Sequence, residues 1–183
     1  MKISKKDIWT IPNIIGYIRI LLIPIFVWFY LQEQYSVASF IVLVSTFSDF
    51  FDGMIARKFN MVTDLGKIID PVADKLTHFA MVICLVFHYS LMKWLMLLMI
   101  FKEGYMAYEG ARFLKHGKML DGANMKGKIC TASLFISLFV LFLFPNISNT
   151  IANTIIVVLM GIMIYTWFDY ICIYKKMKED IHD

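Results

Sequence analysis

Apolar residues gather along this chain in six runs, 14–31, 37–56, 75–89, 91–114, 129–144 and 151–174, with polar or charged stretches between them. An α-helix needs about 20 mostly apolar residues to cross a bilayer, so each run predicts a membrane span. The third run is short, and its helix is expected to extend back through Asp70, outside the hydrocarbon. Residues 1–10 carry too much charge to span and lack the small-residue cleavage site of a signal peptide. They read as an amphipathic lead-in along the membrane surface, with Ile3, Ile8 and Trp9 toward lipid. Pro12 and Pro24 punctuate the first span, Pro71 starts a helix turn, and Pro145 with Asn146 marks a turn.

Composition narrows the class. Of 183 residues, 60% are hydrophobic and 17% charged, with a mean hydropathy of +0.68. Soluble domains lie near roughly 45–50% apolar and about 25% charged. A soluble enzyme, a disordered chain and a small disulfide scaffold are therefore excluded. Cys84, Cys130 and Cys172 lie in apolar runs without metal-ligand spacing and are expected to be buried thiols.

Charge supplies the orientation. Lys2, Lys5 and Lys6 precede the first run. Arg57, Lys58 and Lys67 lie between the second and third, and Lys75 opens the third. Arg112 at the end of the fourth and Lys115, Lys118, Lys126 and Lys128 after it precede the fifth, and Lys175, Lys176 and Lys178 follow the sixth. These are fifteen of the eighteen Lys and Arg residues, whereas the opposite connections carry only Lys93. Arg19 and Lys102 fall inside spans. By the positive-inside rule, both termini and the long loops face the cytoplasm. The expectation is one all-α integral membrane domain over 1–183. It has about six transmembrane helices, a tail at 175–183 and a polar cavity open to the cytoplasmic side.

Four carboxylates stand out against this apolar background. A charge at mid-bilayer costs roughly 2.5–3.5 kcal/mol. Yet Asp49 and Asp52 close the second run, and Asp70 and Asp74 precede the third. At about 100° per residue, Asp49, Asp52, Gly53 and Ala56 share one helical stripe. Asp70 and Asp74 are one turn apart and share a face. Two helices thus present two carboxylates each to one cavity. Four like charges need a compensating cation. Oxygen ligands suit Mg²⁺, Mn²⁺ or Ca²⁺, and the absence of nearby Cys or His pairs argues against zinc. Gly53 and Ala56 let a helix or substrate approach closely, Arg57 suits a bidentate phosphate contact, and Gly66 lets the loop turn. Asn13 either orients a phosphate or Arg57, or caps a helix. The implied chemistry is metal-assisted attack on phosphorus, with two ions about 3.5–4 Å apart.

The segment Asp49-x2-Asp52-Gly53-x2-Ala56-Arg57-x8-Gly66-x3-Asp70-x3-Asp74 matches every fixed position of the CDP-alcohol phosphatidyltransferase signature. On these residues the chain resembles that family. The resemblance implies a metal-dependent enzyme of a bacterial plasma membrane that exchanges CMP on a CDP-linked alcohol for another alcohol. It implies Asp49, Asp52 and Asp70 as ligands of Mg²⁺ or Mn²⁺. It implies Asp74 as general base and as a further ligand, and Asp52, Gly53 and Arg57 as contacts for the CDP part, beside Ala56, Gly66 and Asn13.

Ile11-Pro12-Asn13 with Arg19, Leu22 and Pro24, the run Gly66 to Leu76, and Gly127-Lys128-Ile129-Cys130-Thr131 are similar to the branch of the family that makes phosphatidylglycerophosphate. That likeness implies CDP-diacylglycerol and glycerol 3-phosphate as substrates, membrane lipids as surroundings, and a possible homodimer. Lys67, Arg112, Lys126 and Lys128 are then candidates for the acceptor phosphate. Gly16, Cys130 and Lys102-Glu103 depart from that branch's usual Thr, second Lys and Arg-Glu, and so do the residues leading to Arg112 in their number. These departures touch the acceptor side, so phosphatidylglycerol, serine and inositol phosphate stand as alternative acceptors. A cation transporter and a non-catalytic membrane scaffold are the readings from other classes. Glu103, Glu109 and Asp169 are expected to be structural partners of nearby cations.

Overall fold

All six apolar runs are helical. The structure, a computed structural model, describes residues 9–59, 61, 63, 65–115 and 125–182; for 50, 52, 55–57, 67, 114, 115 and 179–182 it describes the backbone alone. The lead-in expected at 1–10 lies outside the described residues except for Trp9, which is exposed, and Thr10. The helices are α1 (Ile11–Leu31), α2 (Tyr35–Lys58), α3 (Gly66–Val86), α4 (Met92–Lys115), α5 (Met125–Leu143) and α6 (Asn149–His182). They fall into two units, Met1–Leu85 with Phe142–Pro145, and Val86–Leu141 with Asn146–Asp183.

In the first unit, α1 starts with Pro12 in its opening turn, where a missing N–H costs nothing. Pro24 lies inside α1 without ending it, as transmembrane helices tolerate. A short turn joins α1 to α2, with Glu33 in the left-handed region at φ 61°. The Gln32 and Glu33 amides donate to the carbonyls of Trp28 and Tyr30, and Gln34 to Phe29. α3 begins at Gly66, so Pro71 lies inside the helix rather than at its start, and Asp70 and Asp74 are both helical. The core joins Phe26, Tyr30, Val42, Met81 and Leu85, all buried. Phe142 stacks on Tyr30 at 4.2 Å and meets Phe26 edge-on at 5.8 Å.

In the second unit, α4 packs on α6 through an aromatic cluster. Phe113 stacks on Tyr174 at 5.5 Å, Tyr170 is buried beside them, and Tyr105 and Met106 pack against the set. A Cβ on Gly127 of α5 would strike the Tyr170 side chain of α6, so the two helices require glycine there. Cys130 is buried and accepts a hydrogen bond from the Thr166 hydroxyl at 3.3 Å. Cys84 is buried too, but Cys172 is exposed, correcting the expectation of three buried thiols.

The polarity is that of a membrane protein. Trp28, Phe40, Phe47, Ile136, Val157 and Phe168 point outward, where water would make large apolar side chains unfavourable. Helix hydroxyls at Thr46, Thr77, Thr131 and Thr154 donate to the carbonyl one turn back, which satisfies them without water. Among the described residues, α1, α5 and Asn149–Lys178 of α6 are long and apolar enough to cross a bilayer by themselves. The apolar part of α2, Tyr35–Asp49, is shorter, and α3 and α4 carry charges that dilute their hydropathy.

Phe142 sits fully buried between two aromatic rings, so Phe142→Ala should destabilise the protein by about 3–5 kcal/mol. Thermal unfolding in detergent measures it; a midpoint within a degree of the parent would show that this packing is not formed.

Candidate functional site

α2 presents Asp49 near its C-terminal end, and α3 presents Asp70 and Asp74 one turn apart near its start. All three carboxylates converge on the guanidinium of Arg19, which α1 supplies. Arg19 Nη1 donates to Asp74 Oδ1 at 3.0 Å and also pairs with Asp49, while Nη2 donates to Asp70 Oδ1 at 3.1 Å. The Arg19 side chain is only 3% accessible; those of Asp49, Asp70 and Asp74 are 36%, 43% and 48% accessible. The cation thus lies beneath and the carboxylates are open on their outer side. A lone arginine in an apolar helix would be costly, whereas one whose Nη1 and Nη2 both meet carboxylates is compensated.

Arg19, which the motif reading quoted for its likeness in the first helix but gave no role, is the residue on which the three carboxylates converge. Its signal was present: one cation in the otherwise uncharged run 14–31. Asp52 lies on α2 three residues beyond Asp49, but its side chain is outside the described residues, as are those of Ala56, Arg57 and Lys67. The backbone of Gly53 continues α2 at half-buried depth.

The start of α3 is held by a second polar contact. Asn13 is 2% exposed and does not cap α1; Thr10 precedes that helix, with no side-chain cap. Instead the Asn13 amide donates to Thr63 Oγ1 at 3.0 Å, the Thr63 hydroxyl faces Asn13 Oδ1 at 3.2 Å, and the Gly66 N–H donates to Thr63 Oγ1 at 3.0 Å. One hydroxyl therefore accepts two bonds and donates one, its full capacity. Gly66 has no room for a side chain: a Cβ would stand 2.7 Å from Asn13 Oδ1 and 3.2 Å from Thr63 Oγ1. Thr63 was not legible beforehand, because nothing in a loop's composition tells which hydroxyl turns inward.

Three of the candidate cations, Arg112, Lys126 and Lys128, belong to the second unit. Lys126 pairs with Asp169 and lies 5.3 Å from the centre of the Tyr165 ring. Arg112 lies 3.8 Å from Glu109, Lys102 pairs with Glu103 at 3.0 Å, and Lys128 is exposed. The acidic residues Glu103, Glu109 and Asp169 thus have cationic partners, as expected of them.

Among the described residues, no three His, Cys, Asp or Glu side chains stand in a metal-holding arrangement. The three carboxylates face Arg19 instead, and one guanidinium leaves them net negative. Their chemistry fits a hard divalent cation: oxygen donors only, gathered from two helices, each about a third to a half accessible.

Residues 9–171 match the family described as CDP-alcohol phosphatidyltransferase. The chain is 30% identical over 168 residues to a CDP-diacylglycerol–glycerol-3-phosphate 3-phosphatidyltransferase of Aquifex aeolicus, covering 88% of this chain and 93% of the relative. It is 35% identical over 151 residues to the protein of the same name from Bacillus subtilis, covering 74% and 77%. It is 28% identical over 158 residues to a CMP-forming cardiolipin synthase of Streptomyces coelicolor, covering 83% and 73%.

Gly66→Ala must push the Asn13 amide and the Thr63 hydroxyl aside, and overpacking of this kind costs about 1–3 kcal/mol. The expected readout is a lower unfolding midpoint in detergent; an unchanged midpoint would mean the contact is loose.

Proposed function

The chain belongs to the CDP-alcohol phosphatidyltransferase family, and we propose that it transfers the phosphatidyl group of CDP-diacylglycerol to glycerol 3-phosphate, releasing CMP. The convergence of Asp49, Asp70 and Asp74 on one point, open on its outer side, is the observation that carries the reading. It is a phosphotransferase of phospholipid biosynthesis and a membrane protein. We place it as one domain of six spans in a bacterial plasma membrane, with both termini and the site on the cytoplasmic side. The excess of Lys and Arg in alternate connections supports that orientation.

Asp49, Asp52, Asp70 and Asp74 would hold Mg²⁺ or Mn²⁺, two ions in this reading, which would supply positive charge to the diphosphate and lower the pKa of the acceptor hydroxyl. Asp74, the most accessible of the three described carboxylates, takes the hydroxyl proton. The acceptor oxygen then forms its bond to the β-phosphorus as the bond from that phosphorus to the CMP oxygen breaks. Charge develops on the departing CMP phosphate, and Arg57, directly after the motif's small residues, is placed in sequence to bind it. Gly53, Ala56, Gly66 and Asn13 shape the side that takes the CDP part. Acyl chains stay among lipids beside the outward apolar faces, so the donor never leaves the bilayer.

The acceptor phosphate needs cations, and Lys67, Arg112, Lys126 and Lys128 remain the candidates. Lys126 would have to leave Asp169 to serve. A second reading has phosphatidylglycerol as acceptor, giving cardiolipin. It is favoured by the similarity to the Streptomyces coelicolor relative and by Cys130, which is buried against Thr166 and offers no cation.

Purified protein in detergent with CDP-diacylglycerol, Mn²⁺ and glycerol 3-phosphate is expected to release CMP, and chelation to stop it. Phosphatidylglycerol, serine and inositol phosphate run in parallel decide the acceptor. Asp74→Asn should lower turnover by about 10²–10⁴-fold while CDP-diacylglycerol still binds. Full turnover in that variant would remove Asp74 as the base, and CMP release in excess chelator would remove the metal.

A further inference from the structure

The Arg19 guanidinium occupies the point on which the aspartates converge. It is permanently charged, since an arginine does not lose its proton in a protein. Its fork spans both aspartate-bearing helices, with Nη1 on Asp74 and Asp49 and Nη2 on Asp70. The approach of α1 that makes this reach possible is set one turn earlier. A Cβ on Gly16 would stand 2.7 Å from Ile69 Cγ2 and 3.8 Å from Asp70 Oδ1, so α1 and α3 touch where only glycine fits. The side chain is enclosed while its carboxylate partners are open, so a second cation would approach the same oxygens from the opposite side.

We propose that Arg19 is a resident counter-cation, which keeps the three aspartates converged in the absence of metal and weakens divalent-cation binding by competing for their oxygens. This rests on the reading of those aspartates as a divalent-cation site. Arg19 acts through the carboxylates it contacts, so it is a positioning residue. Two cations drawn to one set of oxygens repel each other, and each lowers the other's hold. The diphosphate of the donor reverses this: its negative charge offsets the guanidinium, so metal binds more tightly when the lipid substrate is present. The resident arginine therefore makes the cation site complete only with its substrate.

The test is direct Mn²⁺ binding to the full chain in detergent without lipid substrate, followed by the electron paramagnetic resonance of free Mn²⁺. Arg19→Gln removes the competitor and should lower the Mn²⁺ dissociation constant by about tenfold. With the lipid substrate present its diphosphate already offsets the guanidinium, so the Mn²⁺ concentration that half-saturates CMP release should fall by a smaller factor. Arg19→Lys keeps a charge but loses the fork that spans Asp70 and Asp74, and should tighten Mn²⁺ by about two- to fourfold. A residue that merely packs would lower the unfolding midpoint of both variants without tightening Mn²⁺. Unchanged or weaker Mn²⁺ binding in a folded Arg19→Gln overturns the proposal; if that variant does not fold, the same outcome in Arg19→Lys does so. Parent protein that binds no Mn²⁺ would overturn the metal reading itself, and this proposal with it.

Discussion

An enclosed guanidinium held by three carboxylates is the interaction on which the first unit depends. Each of these charges would be costly in an apolar helix if left alone. Together they tie α1, α2 and α3 at one level, because Arg19, Asp49, Asp70 and Asp74 can satisfy one another only if all three helices are in place. Arg19 is the one positive charge the three carboxylates share, so its loss would leave all three facing one another. The pairing is partial. One positive charge does not neutralise three negative ones, and the remaining negative charge lies on the accessible side of the cluster.

Small and polar residues position that cluster. Gly16 and Gly66 mark two places where backbone meets a neighbouring side chain with no room for a methyl group. The Asn13–Thr63 pair fixes where α3 begins, and hence where Asp70 and Asp74 stand on their helix. In water such contacts would compete with solvent. In an apolar environment the alternative is an unmet hydrogen bond, so a few of them suffice to set the geometry.

Much of this was legible in the sequence. The six apolar runs gave six helices, because hydrophobic length is a strong signal in a chain with few other constraints. The signature from Asp49 to Asp74 gave the carboxylates, since a spacing of three or four residues translates directly into one helix face. What escaped the reading were partners across helices. Arg19 stood in plain view inside an apolar run, but its distance in sequence from Asp70 gave no hint of contact. Nothing singled out Thr63 among the loop residues, and Asn13 fitted a phosphate or Arg57 contact as well as a helix cap. Cys172 lay in an apolar run like the other cysteines, yet in a membrane helix an apolar run has an outer face as well as an inner one.

The turn at Glu33 joins two arms of matched reach. Arg19 precedes it by fourteen residues and Asp49 follows it by sixteen. At 1.5 Å per residue the two side chains lie about 21 and 24 Å from the bend, level with each other. The hairpin is therefore a ruler as well as a connection. One residue added to either arm would swing its charged group about 100° around the helix axis and out of reach of its partner. Length in these arms is quantised by the need to bring opposite charges to the same depth, while the identity of the outward apolar residues along them is left free.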